Sequence, residues 1–164
     1  MSTDSTVEFQ RRLLVDKWRP YIDMVRLKTR YLVVEVTGAR KLAVKKEDIT
    51  VLIRESITKS YGDFGSGLSQ YAFQVLYYNT QTRLAAIRCA REMCKMVETS
   101  LVFVTDVHNQ DVSLRVARVC GSSRTCRENL LKFSLERAKT QNLYSSQPNF
   151  DEEVQAEIAL VDPQ

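Results

Sequence analysis

Three groups of basic residues have the side-chain types and spacing needed to bind phosphate. In the first group, Arg26, Lys28 and Arg30 alternate along a predicted strand, so they share one face and lie about 6–7 Å apart. A strand face with this spacing can follow the phosphates of an RNA backbone. The alternative is a solvated face at the start of a strand.

The second group is Arg88 and Arg91, at a point where a predicted strand leads into a helix. The first turn of a helix presents unpaired backbone N–H groups and the positive end of the helix dipole. A phosphate bound there would also meet two guanidinium groups, which are strong donors to phosphate oxygens. Arg91 can equally form an ion pair with Glu92 or with Glu35.

The third group surrounds the predicted start of the last helix. It comprises Gly121, Ser122, Ser123, Arg124, Arg127 and Lys132. Small hydroxyl residues cap such a helix, glycine lets a ligand backbone approach, and Arg124 and Arg127 share a face one turn apart. This arrangement is typical of a phosphate site, although it is also what an ordinary capped helix requires.

The net charge of +4 conceals an uneven distribution along the 164 residues. Residues 24–140 carry 20 Lys and Arg against 11 Asp and Glu, a net charge of +9, whereas residues 1–23 are neutral. Residues 141–164 carry five acids and no base. We therefore predict an N-terminal extension (1–23), a basic domain that binds RNA (24–140) and an acidic tail that stays off the RNA (141–164). A solvated charged surface with an unrelated tail would give the same counts.

Hydrophobic periodicity and turn residues predict the elements that position these groups. They are a strand at Val25–Val36, a helix at Lys45–Tyr61, a hairpin of Gln70–Tyr78 and Arg83–Cys89, a helix at Ala90–Ser100, a strand at Val112–Cys120 and a helix at Ser123–Thr140. This order predicts an α/β fold of the α+β sandwich type, a ferredoxin-like βαββαβ domain with an additional C-terminal helix.

Two further expectations concern residues 62–78. Gly62 is expected to end the first helix, and the glycines after it indicate a turn-rich entry to the hairpin. On the first hairpin strand, Tyr71, Phe73 and Tyr77 should share a face. This face could be a base-stacking platform, but the second strand carries no aromatic residue, so a stripe that packs in the core is favoured.

Enzyme chemistry has little support in the sequence. His108 is the only histidine and lies in a polar loop, which disfavours a histidine-assisted nucleophile or a two-histidine metal site. Cys89, Cys94, Cys120 and Cys126 fit neither zinc-site spacing nor a disulfide scaffold, so we expect buried thiols. No catalytic residue, protein-bound metal or cofactor is therefore expected. No run of about 18 apolar residues and no secretory leader is present, so no membrane contact is expected either.

Five short motifs occur in a fixed order along the basic domain. They are Met24-Val-Arg-Leu-Lys-Thr-Arg-Tyr31, Tyr61-Gly-Asp-Phe-Gly65, Gln74-Val-Leu-Tyr-Tyr-Asn79, Ile87-Arg-Cys-Ala-Arg-Glu92 and Gly121-Ser-Ser-Arg-Thr-Cys126. Together they resemble the Pop-five protein subunits of ribonuclease P and ribonuclease MRP. The resemblance covers about residues 24–140 and includes all three basic groups.

This resemblance implies a ferredoxin-like, non-catalytic subunit of a ribonucleoprotein. Catalysis would reside in an RNA that uses bound Mg²⁺ to remove the 5′ leader from precursor tRNA, and the MRP particle would process precursor rRNA. The implied partners are that RNA, a TIM-barrel-like companion subunit and other proteins of the particle, with precursor tRNA contacted only indirectly. The implied location is the nucleus, including the nucleolus, or the cytoplasm for an archaeal source; the acidic tail favours a eukaryotic source.

Two alternatives remain open at this stage. The domain could be a protein–protein adaptor that uses the helix carrying Met93, Val97 and Leu101, or the hairpin edge, while its partners bind the RNA. The extension at 1–23 has loosely helical apolar residues, among them Phe9, Leu13 and Trp18, and could pack on the domain or on a partner, be an alternative start or be disordered.

Overall fold

A computed structural model describes residues 28–38, 44–141 and 149–162 of the chain. These residues form five strands and four α-helices. The strands are β1 (Thr29–Gly38), β2 (Phe73–Asn79), β3 (Leu84–Ala90), β4 (Asp106–Val107) and β5 (Gln110–Cys120). The helices are α1 (Lys46–Ala72), α2 (Cys94–Val102), α3 (Ser123–Thr140) and α4 (Phe150–Ala159), and a 3₁₀ turn at Arg91–Met93 precedes α2.

All neighbouring strands of the sheet are antiparallel, in the order β2-β3-β1-β5-β4. The four long strands have the arrangement of a ferredoxin-like domain: β3 lies between β1 and β2, and β1 lies between β3 and β5. The predicted βαββαβ fold is therefore confirmed. β4 adds only two residues, paired with the start of β5.

One face of the sheet is covered by α1 and α2. The apolar stripe of α1 (Ile49, Ile53 and Ile57) and that of α2 (Val97 and Leu101) are fully buried against it. Burial of a large aliphatic side chain is worth about 1.5–3 kcal/mol, so these stripes are the main stabilising contacts of this layer. The same burial removes Val97 and Leu101 from one of the two docking surfaces of the adaptor alternative, whose other surface is the hairpin edge.

The opposite face of the sheet is covered by α3 and α4, not by α3 alone. Phe150, Val154 and Ile158 follow one another at four-residue intervals along α4, and all three are buried against the sheet and α3. Val161, just after α4, is also buried. The sequence predicts only an acidic tail here. Residues 150–162 instead contribute a helix and four buried side chains to the core. None of the described helices is long and apolar enough to cross a membrane.

The prediction that Gly62 breaks the first helix is confirmed, but the predicted turn-rich entry to the hairpin is wrong, because a second helical stretch follows. Gly62 does adopt a left-handed conformation (φ 61°), but the chain bends there and then continues as a helix to Ala72. Gly65 allows this because a Cβ at that position would lie 2.6 Å from the Cβ of Tyr61 and 3.0 Å from Cγ2 of Ile57. The second half of α1 thus packs closely on the first.

The predicted aromatic stripe on β2 is also wrong in two places. Tyr71 lies on α1 and is 94% exposed. Phe73 and Tyr77 are buried, as expected, but they face opposite sides of the sheet, because a β-bulge between Val75 and Tyr77 reverses the alternation of side chains.

Candidate nucleic-acid interface

The three predicted basic groups converge at one end of the sheet. β1 begins there and β3 ends there, since Thr29 pairs with Ala90. β5 also ends there, since Tyr31 pairs with Cys120, and α3 begins three residues later. Antiparallel pairing thus brings together residues that are about 60 and 90 positions apart in the sequence. We call this region the basic end.

Lys28, Arg30 and Arg91 form one side of the basic end. The backbone N–H of Arg91 donates to the carbonyl oxygen of Lys28 at 2.7 Å, which ties the start of β1 to the 3₁₀ turn. Lys28 and Arg91 are exposed. Arg30 is half-buried, and its guanidinium donates a hydrogen bond to the carbonyl oxygen of Thr29. Arg26 lies outside the described residues.

Arg91 forms neither of the ion pairs that the sequence left open. Glu35 is held instead by Arg115 at 3.0 Å and by Arg137 at 3.3 Å, on the α3 side of the sheet. No ion pair joins Arg91 to Glu92 or to another of the described carboxylates. Its guanidinium is therefore available to an external anion.

Arg88 lies on the opposite face of the sheet from Arg30. The register places it beside Tyr31, whereas Arg30 lies beside Cys89. Its guanidinium donates to Asp162 and to Gln74, each at 3.2 Å, and Asp162 also accepts a hydrogen bond from the Tyr31 hydroxyl. Burial, and then the hydrogen bond to Asp162, raise the pKa of Tyr31, so its hydroxyl remains a donor at neutral pH. Arg88 thus anchors the C-terminal segment.

The start of α3 has the predicted cap. The Ser122 side chain accepts a hydrogen bond from the backbone N–H of Thr125, and Ser122 itself is exposed. A Cβ placed on Gly121 would meet nothing within 4 Å, so the space in front of the helix is open. Ser123 is buried, which removes its side chain from any surface that a phosphate can reach.

Arg124 and Arg127, in the first turns of α3, differ in how freely their guanidinium groups can reach an external phosphate. Arg124 is 83% exposed, and its only ion pair is a surface contact with Glu128 at 3.0 Å. Exposed pairs of this kind are worth less than about 1 kcal/mol, so a phosphate can displace Glu128 easily. Arg127 is half-buried and donates to the carbonyl oxygen of Ala159 at 3.4 Å. Lys132 is exposed farther along α3, about 12 Å from Arg124 along the helix axis.

One basic residue of this end was missed by the sequence analysis. Arg118 is exposed on β5 and pairs with Val33, so it lies on the α3 side of the sheet. Simple alternation from Leu114 and Val116 would place it on the opposite, buried face. A β-bulge near Ala117 reverses the alternation, and the sequence contains no clear signal for that bulge.

The other chemically reactive side chains do not form a second site. His108 lies in an exposed turn and its Nε2 is 3.6 Å from Oδ2 of Asp48. All four cysteines are buried free thiols, as predicted, and burial raises the pKa of Cys89 and of Cys126 to about 12. Among the described residues, no group of three or more His, Cys, Asp or Glu side chains is placed to hold a metal ion.

Comparison with known proteins identifies relatives over most of the chain. The model of the Rpp14/Pop5 family matches residues 30–131. The chain is 30% identical over 118 residues to the ribonuclease P/MRP protein subunit POP5 of Bos taurus, covering 68% of this chain and 69% of that protein. It is 29% identical over 118 residues to the Homo sapiens subunit, covering 68% and 72%.

More distant matches extend to a fungal POP5 sequence and to a chain of similar fold. The POP5 subunit of Schizosaccharomyces pombe is 26% identical over 111 residues, which cover 60% of this chain and 80% of that protein. A chain in the cryo-EM structure of yeast ribonuclease MRP has a similar fold, with a TM-score of 0.50 at 13% identity. That match covers 71% of this chain and 98% of the other.

Proposed function

The chain belongs to the Rpp14/Pop5 family, and on that premise we propose that it is a non-catalytic, RNA-binding subunit of ribonuclease P and ribonuclease MRP. In this role it stabilises the fold of a catalytic RNA. The RNA, with its bound Mg²⁺, removes the 5′ leader of precursor tRNA, and the MRP particle processes precursor rRNA. The partners are this RNA, a TIM-barrel-like companion subunit and other subunits of the particle, all in the nucleus.

The observation that carries this proposal is the convergence of basic residues at the basic end. Lys28, Arg91, Arg118 and Arg124 are all exposed there, although they come from four separate parts of the chain. Among the described residues, the only ion pair that any of the four forms is the weak surface pair of Arg124 with Glu128. The N–H groups of the first turn of α3 and the helix dipole add to the positive potential.

The geometry favours contact with phosphates rather than with bases. Helices cover most of both faces of the sheet, and the two buried aromatic side chains of β2 lie under them, so neither Phe73 nor Tyr77 offers a ring on which bases could stack. A ligand would instead cross the end of the sheet, where arginines project from both faces. Such contacts recognise the shape and charge of a folded RNA and release counterions, so affinity should fall steeply with salt.

The test is the salt dependence of RNA binding by the full-length chain. The ligand is the ribonuclease P RNA of the same organism, and the variants are Arg91→Ala and Arg124→Ala, singly and together. Each lost phosphate contact should reduce the slope of log affinity against log salt by roughly 0.7–0.9. Lys59→Ala and Lys139→Ala remove equally exposed charges elsewhere and are the matched controls. Lys139 lies about 22 Å along α3 from Arg124.

An unchanged slope in the double variant would refute the assignment of the basic end. An equal reduction of the slope in the four single variants, the two lysine controls included, would show nonspecific attraction of the RNA to the net charge. A chain that joins the particle normally but binds no RNA by itself would favour the adaptor alternative.

A further inference from the structure

The second half of α1 carries an exposed apolar stripe. It consists of Phe64, Leu68 and Tyr71, which are 71%, 40% and 94% exposed. Their spacing of four and three residues places them on one side of the helix over about 10 Å. Large apolar side chains grouped in this way usually mark an interaction surface, whereas single exposed ones do not.

The stripe borders a groove of about 810 Å³ between α1 and the ends of β2 and β3. Leu68 and Tyr71 line one wall, and Phe73 and Ala90 lie opposite. Arg54 also lines the groove, with its guanidinium 5.8 Å from the centre of the Phe73 ring. No carboxylate among the described residues pairs with Arg54. Arg88 also lines the groove, but it is paired with Asp162. The groove is thus largely apolar, with two arginines in its wall.

The described part of the chain begins beside this groove, because Thr29 is one of its lining residues. Another 27 residues precede Lys28. They include apolar residues at helical spacing, among them Phe9, Leu13 and Trp18. The charges around Trp18 balance, because Asp16 and Asp23 are offset by Lys17 and Arg19. The ten residues from Trp18 to Lys28 span at most about 36 Å, so Trp18 can reach every part of the groove and the stripe.

We propose that the segment around Trp18 docks intramolecularly in this groove and on the α1 stripe. Its apolar side chains cover Leu68 and Tyr71. Tethering places the segment at an effective concentration on the order of millimolar, so a contact too weak to hold a free peptide is occupied in the intact chain. A second protein or a second copy would have to displace the tethered segment.

Trp18 makes the proposal directly testable, because it is the only tryptophan in the chain. In the full-length protein, its fluorescence should be shifted to shorter wavelength, and its acrylamide quenching constant should be several-fold smaller than that of free N-acetyltryptophanamide. Leu68→Glu and Tyr71→Glu change exposed positions. Each should return the emission wavelength and the quenching constant of Trp18 toward the values of free N-acetyltryptophanamide. Phe103→Glu, at an aromatic residue that is 62% exposed and lies outside the groove, should change neither. Tyr71→Ala, the mildest change, checks that the result does not depend on misfolding.

Four results would overturn the proposal. The first is solvent-like emission from the unmodified chain. The second is protection of Trp18 that Leu68→Glu and Tyr71→Glu leave intact. The third is protection that disappears on dilution, which would assign the groove to a second copy. The fourth is an exposed Trp18 combined with loss of RNA binding in Tyr71→Glu, which would assign the stripe to RNA.

Discussion

Replacement of Phe150 by alanine tests whether the acidic C-terminal segment is part of the folded domain. Phe150 is 1% exposed and packs in the cluster between the sheet, α3 and α4. Phe→Ala changes at such sites reduce the free energy of unfolding by about 3–5 kcal/mol, because the lost transfer energy and the cavity both contribute. This is a large part of the roughly 5–15 kcal/mol that stabilises a typical domain.

The measurement is urea and thermal unfolding of the full-length chain, followed by circular dichroism. For a chain of this size the predicted loss corresponds to a decrease in Tm of roughly 6–20 °C. Leu160→Ala is the matched control, since Leu160 directly follows α4 and is 77% exposed. It should change the free energy of unfolding by less than about 0.5 kcal/mol. If Phe150→Ala and Leu160→Ala had the same small effect, α4 would not be packed as described.

Three further predictions concern other parts of the fold. Gly65→Ala should destabilise the protein by about 1–3 kcal/mol in urea unfolding, because the new methyl group would overlap Tyr61. Gly67→Ala, whose methyl group would meet nothing within 4 Å, should stabilise it by up to about 1 kcal/mol. A Gly67→Ala variant less stable than Gly65→Ala would contradict the packing of α1. Glu35→Gln should lower stability in urea unfolding by about 1–3 kcal/mol, because it replaces the carboxylate shared by Arg115 and the half-buried Arg137 with a neutral acceptor. Glu128→Gln, in an exposed pair, should lower it by less than about 1 kcal/mol. Finally, burial raises the pKa of Cys89 and Cys126 to about 12, so the native state keeps thiol protons that the unfolded state loses above about pH 8.5. The free energy of unfolding should therefore fall as the pH rises from about 8.5 toward 12, by up to about 1.4 kcal/mol per pH unit per thiol. Unfolding curves over that range should show a shallower pH slope in Cys126→Ala, and a slope of zero in the unmodified chain would refute the account.

The parts of the fold that local sequence determines were predicted well. α3 has the predicted bounds, Ser123–Thr140, because its cap residue Ser122 and its hydrophobic spacing are both local signals. The ferredoxin-like order followed from the sequence of element types. That order also brings the three basic groups to one end of the sheet, so the convergence was implicit in the predicted fold.

The errors arose where distant contacts decide the local structure. Gly62 is a reasonable helix stop, but packing of Gly65 on Ile57 lets the helix resume after a bend. The bulges in β2 and β5 depend on pairing with other strands, and they determine where Tyr77 and Arg118 point. Such effects of strand register are not visible in one strand alone.

Helix α4 is a different case, since its signal is present in the sequence. Phe150, Val154 and Ile158 form an i, i+4, i+8 stripe, and Asp151, Glu152 and Glu153 occupy a first turn that favours acids. The high acidic content of residues 141–164 predicts a charged tail, whereas the hydrophobic spacing within the same residues predicts a packed helix. The two signals coexist because the glutamates lie on the exposed side of α4 and the large apolar residues on the buried side.

The central claim is that the basic end of the sheet contacts the RNA of the assembled particle. The most direct test is ultraviolet crosslinking of the intact ribonucleoprotein, purified through this chain, with mass spectrometric mapping of the RNA-linked peptides. We predict crosslinks in peptides that contain Lys28–Arg30, Arg88–Arg91 and Arg118–Arg127. Crosslinks confined to α1 or to the far end of α3, or none in a particle that retains the chain, would contradict the claim.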